Sequence, residues 1–164
     1  MKPNYQNAVD KALAIIEDNY VCTPPIDIVE IAKNYGLSLV EIEFIGEHAS
    51  VAGFIDPSSK TMYISKSDPD HRKAFTIAHE LGHWILHQPE LGDEPHKYAI
   101  LYRKPLGAST TDPLEKEANA FAANLLVPRK FLDTYKDLDV ASIAKIFGVS
   151  PEVIGYRLQI EYGR

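Results

Sequence analysis

The sequence predicts an α+β fold: a small, mostly antiparallel sheet packed on one central helix, followed by a helical C-terminal appendage. Three observations carry this. Around FTIAHELGHWILH (Phe75 to His87), Ala74, Ile77, Ala78, Leu81 and Ile85 recur at the spacing of one helix face. Between Leu37 and Ile64, short runs rich in β-formers flank the turn Asp56-Pro57-Ser58-Ser59-Lys60. At the end, DVASIAKIFGVSPEVIGYRLQIEYGR carries Gly148, Ser150 and Pro151 where one helix should stop and another start.

In chain order, Val9, Leu13, Ile16 and Tyr20 mark the expected buried face of a first helix, broken by VCTPP. A second helix is expected from about Pro25, burying Ile28, Ile31, Ala32 and Tyr35 and stopping at Gly36. Strands follow over Leu37 to Ile45, Ala52 to Ile55 and Thr61 to Ile64. An exposed edge of such a sheet can pair with an extended peptide. The central helix is expected to take Asp68 as cap and Pro69 at its first position, and to end at Pro89. From His87 to Pro113 the chain holds Pro89, Pro95, Pro105 and several polar or aromatic residues, a long connection within which Tyr98 to Arg103 fits either helix or strand. Asp112-Pro113 opens the next helix, with Leu114, Ala118, Phe121 and Leu125 on one side and Pro128 at its close, and a short helix follows over Arg129 to Tyr135. Two units are expected: residues 1–136, and a C-terminal helical hairpin, 137–164, packed on them.

With 164 residues the chain can bury one good core. It contains no run of eighteen apolar residues and no signal-peptide pattern, so membrane insertion and secretion are not expected and a cytoplasmic location is. A single cysteine, Cys22, excludes an internal disulfide and is expected to be a buried or half-buried thiol. The net charge is −6 and the basic residues are scattered, which disfavours nucleic-acid binding. The helix-turn-helix spacing near the C-terminus would need a basic outer face. Its last helix offers Arg157 and Arg164 against Glu152 and Glu161.

The chemistry lies in His79-Glu80-Leu81-Gly82-His83, an H-E-x-x-H pattern. Two histidines four apart lie one above the other on a helix, so both imidazoles can ligate one Zn²⁺. Glu80 projects about 100° around from His79, beside the metal, where a carboxylate can take a proton from a polarised water.

Zinc needs a third protein ligand, and one helix face cannot supply it. His87 would lie about 12 Å from His79 along the axis, so it reads instead as a last-turn residue favoured by the helix dipole or as a hydrogen-bonding neighbour of the site. The 113 to 127 helix offers Glu115 on one face with Ala118, Asn119 and Ala122. The alanines allow close helix approach, and Asn119 can bond the back of a ligating imidazole or orient Glu115. Glu115 also fits the reciprocal position of a capping box with Asp112. Glu117, about 160° around from Glu115, is the reserve ligand.

HRKAFTIAHELGHWILH followed by EKEANAFAANLLVP resembles the ImmA/IrrE family of metallopeptidases, and IDIVEIAKNYGLSLV and the AGFIDPSSKTMYIS hairpin fit the family's layout over about residues 25 to 130. The resemblance implies a zincin-like metallopeptidase domain with His79, His83 and Glu115 as ligands and Glu80 as catalytic base. It also implies a substrate: a partner helix-turn-helix transcriptional repressor, in a mobile element or a stress response. Larger relatives carry further domains that could sense a signal, and none is expected here. Oxyanion stabilisation is expected from Tyr98, Tyr102, His96 or Arg103. The competing expectation is a non-catalytic partner-binding module of a toxin-antitoxin-like or regulatory pair, against which the intact Glu80 argues.

Overall fold

A computed structural model of the chain describes residues 1–88, 101–102 and 111–164, with the backbone alone at 101–102. His96, Tyr98, Arg103, Pro89, Pro95, Pro105 and the Tyr102 side chain lie outside the described residues. The fold is α+β. Its elements are α1 (Tyr5–Asp18), α2 (Ile28–Asn34), β1 (Ser38–Ile42), β2 (Val51–Asp56), β3 (Thr61–Ser65), α3 (Asp70–Leu86), β4 (Leu101–Tyr102), α4 (Pro113–Leu126), α5 (Arg129–Tyr135), α6 (Val140–Phe147) and α7 (Pro151–Tyr162).

The sheet order is β1-β3-β2-β4. β2 pairs antiparallel with both β3 and β4, and β1 runs parallel to β3. The expected strand to Ile45 stops at Ile42 because its register partner, Ser65, is the last residue of β3. The last bond of the pairing is the one the Lys66 N–H donates to the Ile42 carbonyl (2.8 Å), and Ile45 is left 74% exposed. β4 resolves the ambiguous stretch after His87 as strand at Leu101 and Tyr102.

β2 and β3 lie against α3, and α3 packs in turn on α4. Gly53 permits the first contact: a Cβ there would come within 2.6 Å of Thr76 Cγ2 and 2.7 Å of the Tyr63 carbonyl oxygen. Gly82 permits the second, where a Cβ would meet Phe121 Cδ1 at 2.9 Å and Ala118 Cα at 3.3 Å. Both approaches are too close for any side chain. α3 is therefore held between sheet and helix, with Thr76 to His83 all buried.

Four local expectations need correction. On α1 the buried face is Ala8, Ala12, Ile15 and Ile16, whereas Leu13 is 37% exposed and Tyr20, past the helix end at φ 53, is 88% exposed. α1 packs on α4, and the alanines on that side allow the close approach that larger residues would prevent. α3 begins at Asp70 with Pro69, not Asp68, in the cap position; the Pro69 carbonyl accepts from the N–H groups of Arg72 and Lys73, both at 3.0 Å. Cys22 is exposed, because it sits in the turn after α1 with its thiol 3.4 Å from the Tyr20 carbonyl.

The fourth concerns Arg157, which is fully buried rather than on an outer basic face. Its Nε donates to the Val127 carbonyl at the end of α4 (2.9 Å), and Nη2 lies 2.8 Å from Glu161. The C-terminal punctuation itself follows expectation. Gly148 closes α6 in the left-handed region (φ 65), the Ser150 hydroxyl accepts from the Val153 N–H, and Pro151 opens α7. Ile143, Phe147, Ile154 and Leu158 share one buried cluster with Leu81, Phe121 and Leu125. Among the described residues no helix is long and apolar enough to cross a membrane.

Candidate metal centre

α3 and α4 cross where Gly82 faces Ala118 and Phe121, and this crossing brings Glu115 to the two histidines of α3. The Nε2 atoms of His79 and His83 are 3.1 Å apart. Glu115 reaches both: Oε2 is 3.2 Å from His79 Nε2 and Oε1 is 2.8 Å from His83 Nε2. His79, His83 and Glu115 form a group, all of whose donor atoms lie within 4.8 Å of one another, that could hold a metal ion.

The chemistry of the donors fits zinc. A tetrahedral set with bonds of about 2.0–2.1 Å has edges of about 3.3–3.4 Å, close to the 3.1 Å between the two Nε2 atoms, and the carboxylate turns a different oxygen to each ring. Two nitrogens and a carboxylate are also a ligand set used by catalytic zinc sites that keep one position open. The backs of both rings are engaged. His79 Nδ1 is 2.8 Å from Asn119 Oδ1, an acceptor, so the proton of a neutral His79 belongs on Nδ1 and its lone pair on Nε2.

Burial sets the charges. His79 and His83 are 1% and 0% exposed. Desolvation pulls His83 down to about 4 although Glu115 pulls the other way, so the ring is neutral and able to ligate near neutral pH. For Glu115 desolvation acts upward, yet the His79 and His83 rings against it outweigh that and hold the carboxyl well below the usual range. Glu80 goes in the opposite direction: burial first, then the Glu115 charge, raise it well above an ordinary carboxyl. Both its oxygens are buried without a hydrogen-bond partner among the described residues. Such a group readily keeps or takes a proton, and perturbed carboxyls of this kind cluster at functional sites.

Glu115 is thus placed toward the histidines; the Asp112 side chain caps α4 by accepting from the Leu114 N–H. Glu117, the reserve ligand, lies elsewhere: its Oε2 is 2.7 Å from His87 Nε2, and its Oε1 accepts from the Asn4 N–H at 2.6 Å. His87 is the C-cap of α3 and its Nδ1 is 2.9 Å from His83 Nδ1. Sequence reasoning did not join these two residues. The available signal was a third histidine four after His83, which must face the same side of the helix.

The sequence matches the peptidase family described as the IrrE N-terminal-like domain over residues 32–159. The chain belongs to this family. The IrrE-like chain also resembles a solved structure, a Mycobacterium tuberculosis transcriptional regulator, with a TM-score of 0.66 at 20% sequence identity, a likeness of fold. The match covers 93% of this chain and 47% of that one, so the IrrE-like chain spans about half the length of the regulator. No curated protein matches the sequence.

Proposed function

We propose that this chain is a zinc-dependent endopeptidase that cleaves a partner helix-turn-helix transcriptional repressor and so relieves repression, in a mobile element or a stress response. The observation that carries the reading is the convergence of His79 Nε2, His83 Nε2 and the Glu115 carboxylate at the buried Glu80. His79, His83 and Glu115 would hold Zn²⁺, with Asn119 orienting His79. Zinc held there supplies Lewis-acid polarisation of water and of the scissile carbonyl. Glu80 takes the proton of the attacking water and hands it to the leaving amine, a task suited to a carboxyl raised well above the ordinary carboxyl range. A site built only to hold metal has no need for that carboxyl, which speaks against a non-catalytic module.

The partner is a protein rather than DNA. Scattered basic residues and the burial of Arg157 leave the last helix without a basic face. Residues 1–136 form the peptidase unit in this reading and 137–164 a helical appendage, docked through Arg157 at the end of the ligand-bearing α4, in the cytoplasm. The likeness to a Mycobacterium tuberculosis transcriptional regulator directs the search for substrates to transcriptional control.

The test is incubation of the zinc-loaded chain with helix-turn-helix repressors encoded beside its gene, with fragments identified by mass spectrometry. Expected is one discrete cut, absent with Glu80→Gln. Repressors left intact by the zinc-loaded wild type, or cut equally fast by Glu80→Gln, overturn the reading.

A further inference from the structure

We propose that Glu117 and His87 are positioning residues that set the tautomer of His83, so that its Nε2 lone pair faces the metal position. The inference rests on the reading of His79, His83 and Glu115 as a metal centre, and deepens it.

A chain of four contacts carries it. The Asn4 N–H donates to Glu117 Oε1 (2.6 Å), and Glu117 Oε2 lies 2.7 Å from His87 Nε2. His87 Nδ1 lies 2.9 Å from His83 Nδ1, and His83 Nε2 faces the Glu115 carboxylate at 2.8 Å. His83, His87 and Glu117 are 0%, 2% and 9% exposed, so water has little access to supply missing partners.

Proton bookkeeping then leaves one neutral arrangement. An ionised carboxylate only accepts, so Glu117 accepts a hydrogen bond from His87 Nε2–H. A neutral His87 then has its lone pair on Nδ1, which must accept from His83 Nδ1–H. The remaining ring nitrogen, Nε2, is left as an acceptor directed at His79 and Glu115. The reverse tautomers would set two N–H groups or two lone pairs face to face along the Glu117–His87–His83 chain, leaving buried polar atoms unpaired there, whereas this arrangement gathers its unpaired acceptors, the two Nε2 lone pairs and the Glu115 carboxylate, only at the position a cation would fill.

The two histidine ligands are therefore backed differently. His79 leans on the neutral amide of Asn119, whereas His83 leans on a carboxylate relayed through a second imidazole. A carboxylate behind a ligating histidine fixes the ring and raises its basicity. The backbone N–H of Asn4 holds the far end of the relay, so Glu117 also ties the start of α1 to α4, and a purely structural role is the alternative to be separated.

The separation uses His87, which has no part in the Asn4 contact. In His87→Leu the acceptor for His83 Nδ1–H is lost; in His87→Gln an amide oxygen can take its place. Glu117→Gln reverses the relay, because Asn4 N–H claims the amide oxygen and leaves the NH₂ facing His87 Nε2. Zinc affinities are measured by competition with a chromogenic chelator, and imidazole tautomers by ¹⁵N NMR of the metal-free protein. Expected are an Nδ1–H tautomer at His83 in the wild type, a loss of zinc affinity of about 10–100-fold in His87→Leu and Glu117→Gln, and recovery of most of it in His87→Gln. An Nε2–H tautomer at His83 in the wild type overturns the proposal. So does wild-type zinc affinity in His87→Leu, or no recovery in His87→Gln. If His87→Leu does not fold, the wild-type spectrum still decides. A wild-type chain that binds no zinc overturns the metal-centre reading instead, and the tautomer remains readable.

Discussion

At the scale of single residues, Glu80 is held in a fold that disfavours its charge. Its folded pKa lies well above its unfolded value, so its contribution to stability is complete below about pH 4.5 and is lost as pH rises toward the folded pKa. Metal-free Glu80→Gln is therefore expected to be more stable than metal-free wild type, with the difference growing by at most about 1.4 kcal/mol per pH unit above 4.5. Urea unfolding of the two proteins across that range checks it, and a pH-independent difference contradicts the raised carboxyl. Glu115→Gln removes one of the three proposed ligands and is expected to abolish tight zinc binding while the Asp112 cap on α4 remains. A capping role alone would predict the reverse, full zinc content with stability lower by about 0.5–2 kcal/mol. Zinc stoichiometry and melting curves on that variant tell the two apart. His79, Glu80 and His83 were legible because helix periodicity alone decides that i and i+4 share a face. Glu115 was legible as the favoured third ligand from the face it shares with Ala118, Asn119 and Ala122, but the pairing of Glu117 with His87 was not, since it depends on how α4 is placed against α3.

At the scale of elements, the crossing of α3 and α4 brings the candidate centre together. Gly82→Ala would put a methyl within 2.9 Å of the fully buried Phe121 ring and 3.3 Å of the Ala118 backbone. Either the ring or the helices must shift. The expected results are a loss of about 1–3 kcal/mol in denaturant unfolding and weaker zinc binding, because the Glu115 carboxylate is carried away from the histidines. Full stability with unchanged zinc affinity would show that the helices do not need this approach. The same reasoning explains the rotated face of α1. Val9, Leu13 and Tyr20 dominate the sequence pattern by size, but a helix packed against α4 is better served by Ala8 and Ala12, and small residues carry a weak periodic signal.

At the scale of the whole molecule, zinc should link folding to the site. The residues proposed to hold it come from α3 and α4, more than thirty residues apart in sequence, and meet only in the folded chain. At free zinc about 100 times Kd the stabilisation is about 2.7 kcal/mol, a rise of roughly 5–10 °C in Tm for a chain of this size. Calorimetry with and without a chelator measures it, and Glu115→Gln should lose the rise. Arg157 ties the last helix to the end of α4 from inside the core. Replacing it with Met is expected to destabilise the chain by about 2–3 kcal/mol, since the Val127 carbonyl and the partly exposed Glu161 lose a charged donor. Unchanged unfolding free energy would count against that anchor.

What the sequence by itself determined is local: the α+β class, the hairpin turn, the stops and starts at Gly36, Gly148, Ser150 and Pro151, and the helix that presents His79 and His83 together. Each depends on backbone preference or on periodicity within one element, and these act over a few residues. What only the tertiary structure decided is relational: where β1 ends, which face of α1 is buried, that Arg157 points inward, and that Glu117 meets His87. These follow from the closeness of neighbouring elements and from the requirement that buried polar groups find partners, and neither is written in the spacing of residues along one helix.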